Sequence, residues 1–205
     1  EACASDYVYV KTQTFITGHS FEWKTALYHS GSSDVAGWLK YIPSNCSSYW
    51  SGEGSPDNKS VLDAEDDAAQ VNWGGSWRMP TYDEVVALSD ACGGATTPDV
   101  LSSANPGKGI YWVSAEQTYI SDYTGVAGVL FCDGTSKLFF PAGGFGWDTN
   151  RNTSENRYWS STLHQPLSSA SGNARSLRFV DSNDGKVKTD YNIRAYGEPI
   201  RPISD

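Results

Sequence analysis

Apolar and polar positions change their period several times along the chain. Tyr7-Val-Tyr-Val-Lys-Thr-Gln-Thr-Phe15 alternates and is rich in β-formers, which predicts a strand. From Gly18 to Asn58 the pattern breaks into Ser, Gly, Tyr and Trp, so irregular loops are expected there, partly packed by Trp23, Trp38 and Trp50. Ser55-Pro56-Asp57-Asn58 marks a turn. Helical spacing follows. Asp63 can cap a helix over Ala64 to Val71, with acidic residues crowding its positive end. A second helix is more fully marked: Thr81 and Glu84 form a T-x-x-E capping box, Val85, Val86 and Leu88 make an apolar face, and Gly93 follows its end.

Beyond Pro98 the period shortens again. Gly109-Ile-Tyr-Trp-Val-Ser114, Gly128-Val-Leu-Phe-Cys132 and Lys137-Leu-Phe-Phe140 read as strands, the last two joined by a hairpin turn at Asp133-Gly134. Ser176-Leu-Arg-Phe-Val-Asp181 and Lys186-Val-Lys-Thr-Asp-Tyr191 form another pair across Asn183-Asp184-Gly185, and Pro199-Ile-Arg-Pro-Ile203 reads as a final strand. One strand, two helices and then a run of antiparallel strands with much irregular loop make an α+β layout.

Composition narrows the functional classes. At 205 residues the chain is expected to form a single domain, 1–205, able to bury a core without requiring disulfides. Its 24 acids against 15 bases leave too little clustered positive charge for general affinity to nucleic acid or anionic membranes. Apolar runs fall well short of the roughly 18–20 residues of a membrane-spanning helix, so direct membrane insertion is not expected. Glu1-Ala2-Cys3 lacks a basic region and an apolar stretch, and reads as a mature or trimmed end. Cys3, Cys46, Cys92 and Cys132 include no closely spaced pair, and His19, His29 and His164 are equally scattered, so neither structural zinc nor any other metal or cofactor is implied. The even cysteine count fits two disulfides in an exported protein and equally four buried thiols. Of the possible connectivities, Cys92–Cys132 with Cys3–Cys46 is favoured; Cys3 could instead carry a lipid anchor.

The chain offers little catalytic chemistry. There is no G-x-S-x-G elbow, and no histidine stands where a Ser or Cys partner is suggested. His164, beside Gln165-Pro166, reads as a polar loop residue. Gly143-Gly-Phe-Gly146 leads into Trp147-Asp148 rather than a helix, and reads as a loop of close backbone approach instead of a phosphate loop. Asp181-Ser-Asn-Asp-Gly185 begins like a calcium loop, but Asn192 stands where the closing acid belongs, so a polar hairpin tip is expected. The acids of Asp63 to Asp67 read as a solvated helix start in preference to a calcium site.

Charge distribution says more. Residues 147–205 hold eight Lys/Arg and seven Asp/Glu, whereas 1–146 hold seven and seventeen. Over half of the cations thus lie in the C-terminal segment beside Trp147, Tyr158, Trp159, Tyr191 and Tyr196, a mixture that adaptable recognition surfaces use and that a half-exposed antiparallel sheet also shows.

Three stretches carry a family resemblance. Asp57-Asn-Lys-Ser-Val-Leu-Asp-Ala-Glu-Asp-Asp-Ala-Ala69 runs into Asn72-Trp-Gly-Gly-Ser-Trp-Arg-Met-Pro-Thr81; Leu138-Phe-Phe-Pro-Ala-Gly-Gly144 and Tyr158-Trp-Ser-Ser161 follow; Arg194-Ala-Tyr-Gly197 and Ile200-Arg-Pro-Ile203 close the chain. Together they resemble the Fibrobacter succinogenes major paralogous domain, common in Bacteroidetes surface proteins, over residues 57–203. Residues 1–56, the N-terminal strand and its loops, diverge. The resemblance implies a variant of the C-type lectin fold, an extracellular or cell-surface location, and a scaffold role for Trp73, Trp77, Arg78, Met79, Pro80, Trp159, Ser160, Arg194, Gly197 and Arg201. Trp77 is expected to bury its ring, and Arg78 or Arg201 to pin loops through forked hydrogen bonds.

Domains of this kind often serve as variable proteins of diversity-generating retroelements, with variation at the C-terminal end. The resemblance therefore implies a non-enzymatic ligand-recognition protein or adhesin whose candidate variable segment is 147–203. If Leu177 and Phe179 point inward, Arg175, Ser176, Arg178 and Val180 are left free or outward, joined by Lys188, Asp190, Tyr191, Ala195 and Tyr196. Trp147, Asp148, Asn150, Arg151, Asn152, His164 and Gln165 complete the expected surface. Its partner would be a protein or glycan on another cell or surface; the oligomeric state is open. Departures bear on the alternatives. Calcium-dependent lectins use E-P-N or Q-P-D with W-N-D, where this chain has Gln165-Pro-Leu167 and Trp147-Asp-Thr149, so a lectin reading with Trp147 or Trp159 as sugar platform is secondary. A formylglycine-generating-enzyme-like reading is weaker still, since those enzymes carry cysteines near the C-terminal strands and the last cysteine here is Cys132.

Overall fold

The computed structural model describes residues 41, 44, 55–94, 96–146, 150–164, 173–180, 186–194 and 196–205, and the backbone of 8–11, 14–17 and 147. Two α-helices occur among the described residues, α1 at Ala68–Trp73 and α2 at Tyr82–Ala91. The start of α2 is the capping box expected of Thr81 and Glu84: the Thr81 hydroxyl accepts the Glu84 N–H, and the Glu84 carboxylate accepts the Thr81 N–H at 2.7 Å. Beyond the helix, Gly93 turns the chain at φ 95°.

Helix α1 begins four residues later than predicted, and its cap is Asp67 rather than Asp63. The Asp63 carbonyl holds a turn by accepting the N–H groups of Asp66 and Asp67. The Asp67 carboxylate, 5% exposed, accepts from Ala69 at 2.8 Å and Gln70 at 3.1 Å. It also accepts from Met79 at 2.9 Å, just past the short strand β3, Trp77–Arg78. Each acid of the run could cap locally; the one that also serves a distant N–H is the one used.

The run predicted as a single N-terminal strand is two, β1 at Val8–Lys11 and β2 at Thr14–Thr17, paired antiparallel with Lys11 opposite Thr14. Thr12-Gln13 between them carries no Gly, Pro, Asn or Asp to mark a reversal. A four-stranded sheet follows: β4 (Asp99–Val100) lies parallel to β5 (Gly109–Val113), which pairs antiparallel with β6 (Gly128–Cys132), and β6 with β7 (Lys137–Pro141). The β6–β7 turn is the expected one, with Gly134 at φ 102° and the Asp133 carboxylate accepting from Thr135 and Ser136. The stretch from Gly143 is partly strand, β8 (Phe145–Trp147), paired with β9 (Asn150–Asn152). Gly144, at φ 70°, lies so close to the Asn152 carbonyl that no Cβ fits, which matches the close backbone approach expected there. Next comes an antiparallel sheet of β10 (Glu155–Leu163), β11 (Asn173–Val180) and β12 (Lys188–Ile193), in that order. The strand expected over 199–203 shrinks to β13, Ile203–Ser204, which pairs with β3.

The main core joins α2 to both larger sheets through Val85, Ile110, Trp112, Phe131, Phe140, Tyr158, Leu177 and Phe179. Tyr158 sits edge-on to Phe140 at 5.0 Å, stacks on Phe179 at 6.2 Å, and donates its hydroxyl to the Pro141 carbonyl at 2.7 Å. Leu101, Val113, Leu130 and Phe139 fill the other face of the four-stranded sheet, so β6 is buried at every position and reads as an uninterrupted apolar run. A further cluster surrounds Trp159, with Met79, Leu163, Ala174 and Ile200. The described elements are thus α+β, with few helices and mostly antiparallel strands in open sheets.

Several scaffold expectations change. Trp77 does not bury its ring; it is 44% exposed and lies 6.3 Å from exposed Trp73. Arg78 does make the forked bonds, but to helix α2 and the terminal residue: it grips both oxygens of Glu84 at 2.7 and 2.8 Å and reaches Asp205 at 2.6 Å. Arg201 makes no such bond among the described residues. The favoured Cys92–Cys132 disulfide is not formed: both are buried free thiols, burial pushes the Cys92 thiol up, and Cys132 donates to the Pro106 carbonyl. Cys3 and Cys46 lie outside the described residues.

Candidate functional site

Because side chains alternate along a strand, the register of β10, β11 and β12 places two sets of residues on opposite faces. One face carries Tyr158, Leu177 and Phe179 and packs on the core. The other aligns Glu155 with Val180, Arg157 with Arg178 and Lys188, and Ser176 with Asp190. Leu177 and Phe179 therefore point inward as expected. Ser176, expected to be free, is buried with Arg157 beside it, whose Nη1 approaches its hydroxyl at 3.4 Å.

Arg157 is the hub of this second face. Only 9% exposed, it pairs with Glu155, donates to the Tyr191 carbonyl at 2.9 Å, and lies 3.6 Å from Asp190. Arg178 reaches Glu155 at 2.5 Å and Asp190 at 3.8 Å, while Lys188 holds Asp190 at 3.1 Å from the solvent side. Burial alone would raise the Glu155 and Asp190 carboxyls. Arg178 and Arg157 outweigh it at Glu155, and Lys188, the Tyr191 N–H and Arg157 at Asp190, so both are held below the ordinary carboxylate range. Hydrogen bonding to Glu155 in turn raises Arg178. Phe145 of β8 lies under the Arg157 guanidinium at 5.7 Å and stacks on Tyr196 at 5.9 Å, so the β8–β9 hairpin borders the charged array.

Glu198 lies fully buried beside this array, with Oε1 accepting from Asn192 at 2.8 Å. Burial pushes its pKa from 4.5 up to about 8, with Glu155 and Asp190 adding and Arg157 and Asn192 opposing. Below about pH 4.5 the carboxyl is protonated folded or unfolded and has no effect on stability. Above that the unfolded chain ionises first, so stability falls through neutrality, and the loss is complete once the native pKa is passed. Glu198→Gln is accordingly expected to gain up to about 4 kcal/mol at pH 8 and almost nothing at pH 4.5, as read from urea unfolding at both. An equal gain at both pH values would show that Glu198 is not held neutral.

The expected site residues fall into groups. Ser176, Arg178, Lys188 and Asp190 converge on the charged face, Val180 lies half-buried at its end, and half-buried Tyr196 borders it through Phe145. Arg175, Tyr191 and His164 belong to the opposite face: Arg175 lies 4.4 Å over the Tyr82 ring, and His164 stacks on the 47% exposed Tyr191 at 3.9 Å. Burial and Arg175 lower the His164 pKa to about 4, Asp190 opposing, so the imidazole is neutral at physiological pH. Asn150 and Arg151 are exposed on β9, Arg151 donating to the Gly143 carbonyl at 2.7 Å. Asn152 is occupied locally, accepting from the Ser154 and Glu155 N–H groups. Trp159 cannot serve as a sugar platform: it is 1% exposed, with Nε1 donating to the Tyr196 carbonyl. Asp148, Gln165, Ala195 and the Trp147 side chain lie outside the described residues.

Sequence reasoning missed Glu155, Arg157, Asn192 and Glu198. Glu155-x-Arg157 carries a faint signal, since period-two spacing puts both on one face of a strand. The acidic run forms the turn before α1, and its last member, Asp67, caps the helix. Oxygens of Asp63, Glu65 and Asp66 lie within 4.8 Å of one another, with Lys59 paired to Asp63 and the Tyr41 hydroxyl donating to Asp66 at 2.5 Å. No helix among the described residues is long and apolar enough to cross a membrane. No protein-family model, curated protein or solved structure matches the chain.

Proposed function

We propose that this chain is a non-enzymatic recognition module of a C-type lectin-like kind, displayed outside the cell, that binds a protein or glycan ligand through the charged face of β10–β12 and the adjoining β8–β9 hairpin. The observation that carries this reading is the array itself. Arg178, Lys188 and Asp190 reach solvent from adjacent strands, buttressed from below by Arg157, with an aromatic pair, Phe145 and Tyr196, at the border. Mixed charge of fixed geometry with aromatic neighbours discriminates between partners more than it attracts any one charge sign. The sequence resemblance described above adds that the segment is diversified by a retroelement. A reverse-transcriptase gene and a near-copy of the segment beside the locus are the expected accompaniment, and finding neither in the genome would remove the diversification claim.

The binding claim is tested with the full chain on a glycan array, with and without EDTA, and on a yeast-displayed library of surface-protein ectodomains. Arg178→Ala and Tyr196→Ala are each expected to weaken any captured ligand about tenfold or more, and Tyr191→Ala, on the opposite face, much less. A ligand whose affinity survives the first two changes would place binding elsewhere. Capture abolished by EDTA would favour a calcium-bridged sugar site instead.

A further inference from the structure

A cavity of about 170 Å³ lies between α2, β7 and the core face of the three-stranded sheet, on the side away from the charged array. Val85 and Leu88 of α2, Leu138 and Phe140 of β7, and Leu177 of β11 make its wall almost wholly apolar. Two charged residues also line it, and they differ. Glu84 is consumed: Arg78 grips both its oxygens, and Thr81 donates to it twice. Arg201, half-buried between Ile200 and β13, has no hydrogen bond or ion pair among the described residues.

An apolar cavity leaves its lining short of contacts, and Arg201, one of its lining residues, carries a guanidinium with no partner among the described residues, which suits it to a planar anion. One ligand class meets both needs. A compact hydrocarbon body fills the void, since benzene occupies a cavity of roughly 150 Å³ in another protein, and a carboxylate takes the two parallel N–H donors of the guanidinium. Inorganic phosphate has no body to fill the space, and an amine meets the wrong charge. We propose that this cavity binds a small apolar monocarboxylic acid, its ring or short chain among Val85, Leu88 and Leu177 and its carboxylate on Arg201. The site is independent of the charged array and of what that array recognises.

p-Toluate is the probe, and p-toluamide its neutral shape match, each titrated into the full chain at neutral pH by calorimetry and by NMR of the Leu and Val methyl groups. p-Toluate is expected to saturate and to bind about tenfold tighter than p-toluamide, a charge-assisted hydrogen bond being the difference. Arg201→Gln should bring the two to equal affinity without changing the fold, because the side chain has no hydrogen bond or ion pair to lose among the described residues. Leu88→Phe, which fills the void, should abolish both, with circular dichroism confirming the fold. Absence of saturation by p-toluate up to about 10 mM overturns the proposal. Undiminished p-toluate binding by Arg201→Gln overturns it equally.

Discussion

An Asp67→Ala variant is expected to lose about 2–5 kcal/mol of stability in urea unfolding. Two costs combine. The first is the N-cap of α1, whose opening N–H groups at Ala69 and Gln70 lose their acceptor; caps of this type are worth about 1 kcal/mol and up to 2. The second is Met79, whose N–H sits between the two Asp67 oxygens at 2.9 and 3.1 Å and whose side chain is fully buried. Deprived of that acceptor it becomes an orphaned buried donor, costing roughly 1–3 kcal/mol more. Asp67→Asn should fall between: its single carbonyl oxygen can still cap the helix, while its amide cannot also accept from Met79. A loss below about 1.5 kcal/mol for the alanine variant would mean that the carboxylate caps the helix without tying it to β3.

Arg157→Met is expected to cost about 3 kcal/mol and to weaken ligand binding at the charged face together with it. Methionine fills much the same length beside Phe145 but leaves Glu155, Asp190 and the Tyr191 carbonyl without their shared cation. The figure stays at the low end for a broken buried pair because Arg178 still reaches Glu155 and Lys188 still holds Asp190. A pH signature separates this from simple loss of packing. Arg157 is the strongest influence opposing the rise at Glu198, so its removal should move ionisation of that buried acid above about 8. The alkaline fall in stability of the variant should move with it. A cost under 1 kcal/mol, with that profile unmoved, would show that Arg157 is merely adjacent to the array.

How much of this was legible depended on whether the signal was local. Helix α2 and the β6–β7 hairpin are legible because everything that specifies them lies within a few residues: Thr81 with Glu84, Asp133 with Gly134. Local pattern places helix α1 too early because several acids offer a cap, and the choice among them is made by Met79, twelve residues from Asp67. Strand β10 gives no such local signal. Its Asn156, Arg157, Ser160 and Ser161 are buried polar residues, so it shows no hydrophobic alternation; they are tolerated through partners on β11, β12 and distant loops. The candidate site divided along the same line. Arg178, Lys188 and Asp190 could be placed by alternation around Leu177 and Phe179. Glu155, Arg157, Asn192 and Glu198 owe their positions to ion pairs and hydrogen bonds across strands, which period alone cannot foresee. Trp77 departs in the other direction, since an aromatic residue in a scaffold motif points to an interior position and this one is exposed.

The pairing of β3 with β13 has a consequence for the order of folding. Arg78 bonds to Asp205 across 127 residues of chain, and Ser76 to Ser204 across 128. Bringing such distant segments together costs roughly 4 kcal/mol of loop-closure entropy when the intervening chain is still loose. It costs far less once the two larger sheets have already drawn the ends near. Closure is therefore favoured as a late event, after α2 has docked on its core, and the dominance of contacts between remote residues predicts slow folding for a chain of this size. Until that last step β3 lacks its partner strand β13, which makes the seam between the middle and the end of the chain the natural place for partial opening in the native protein.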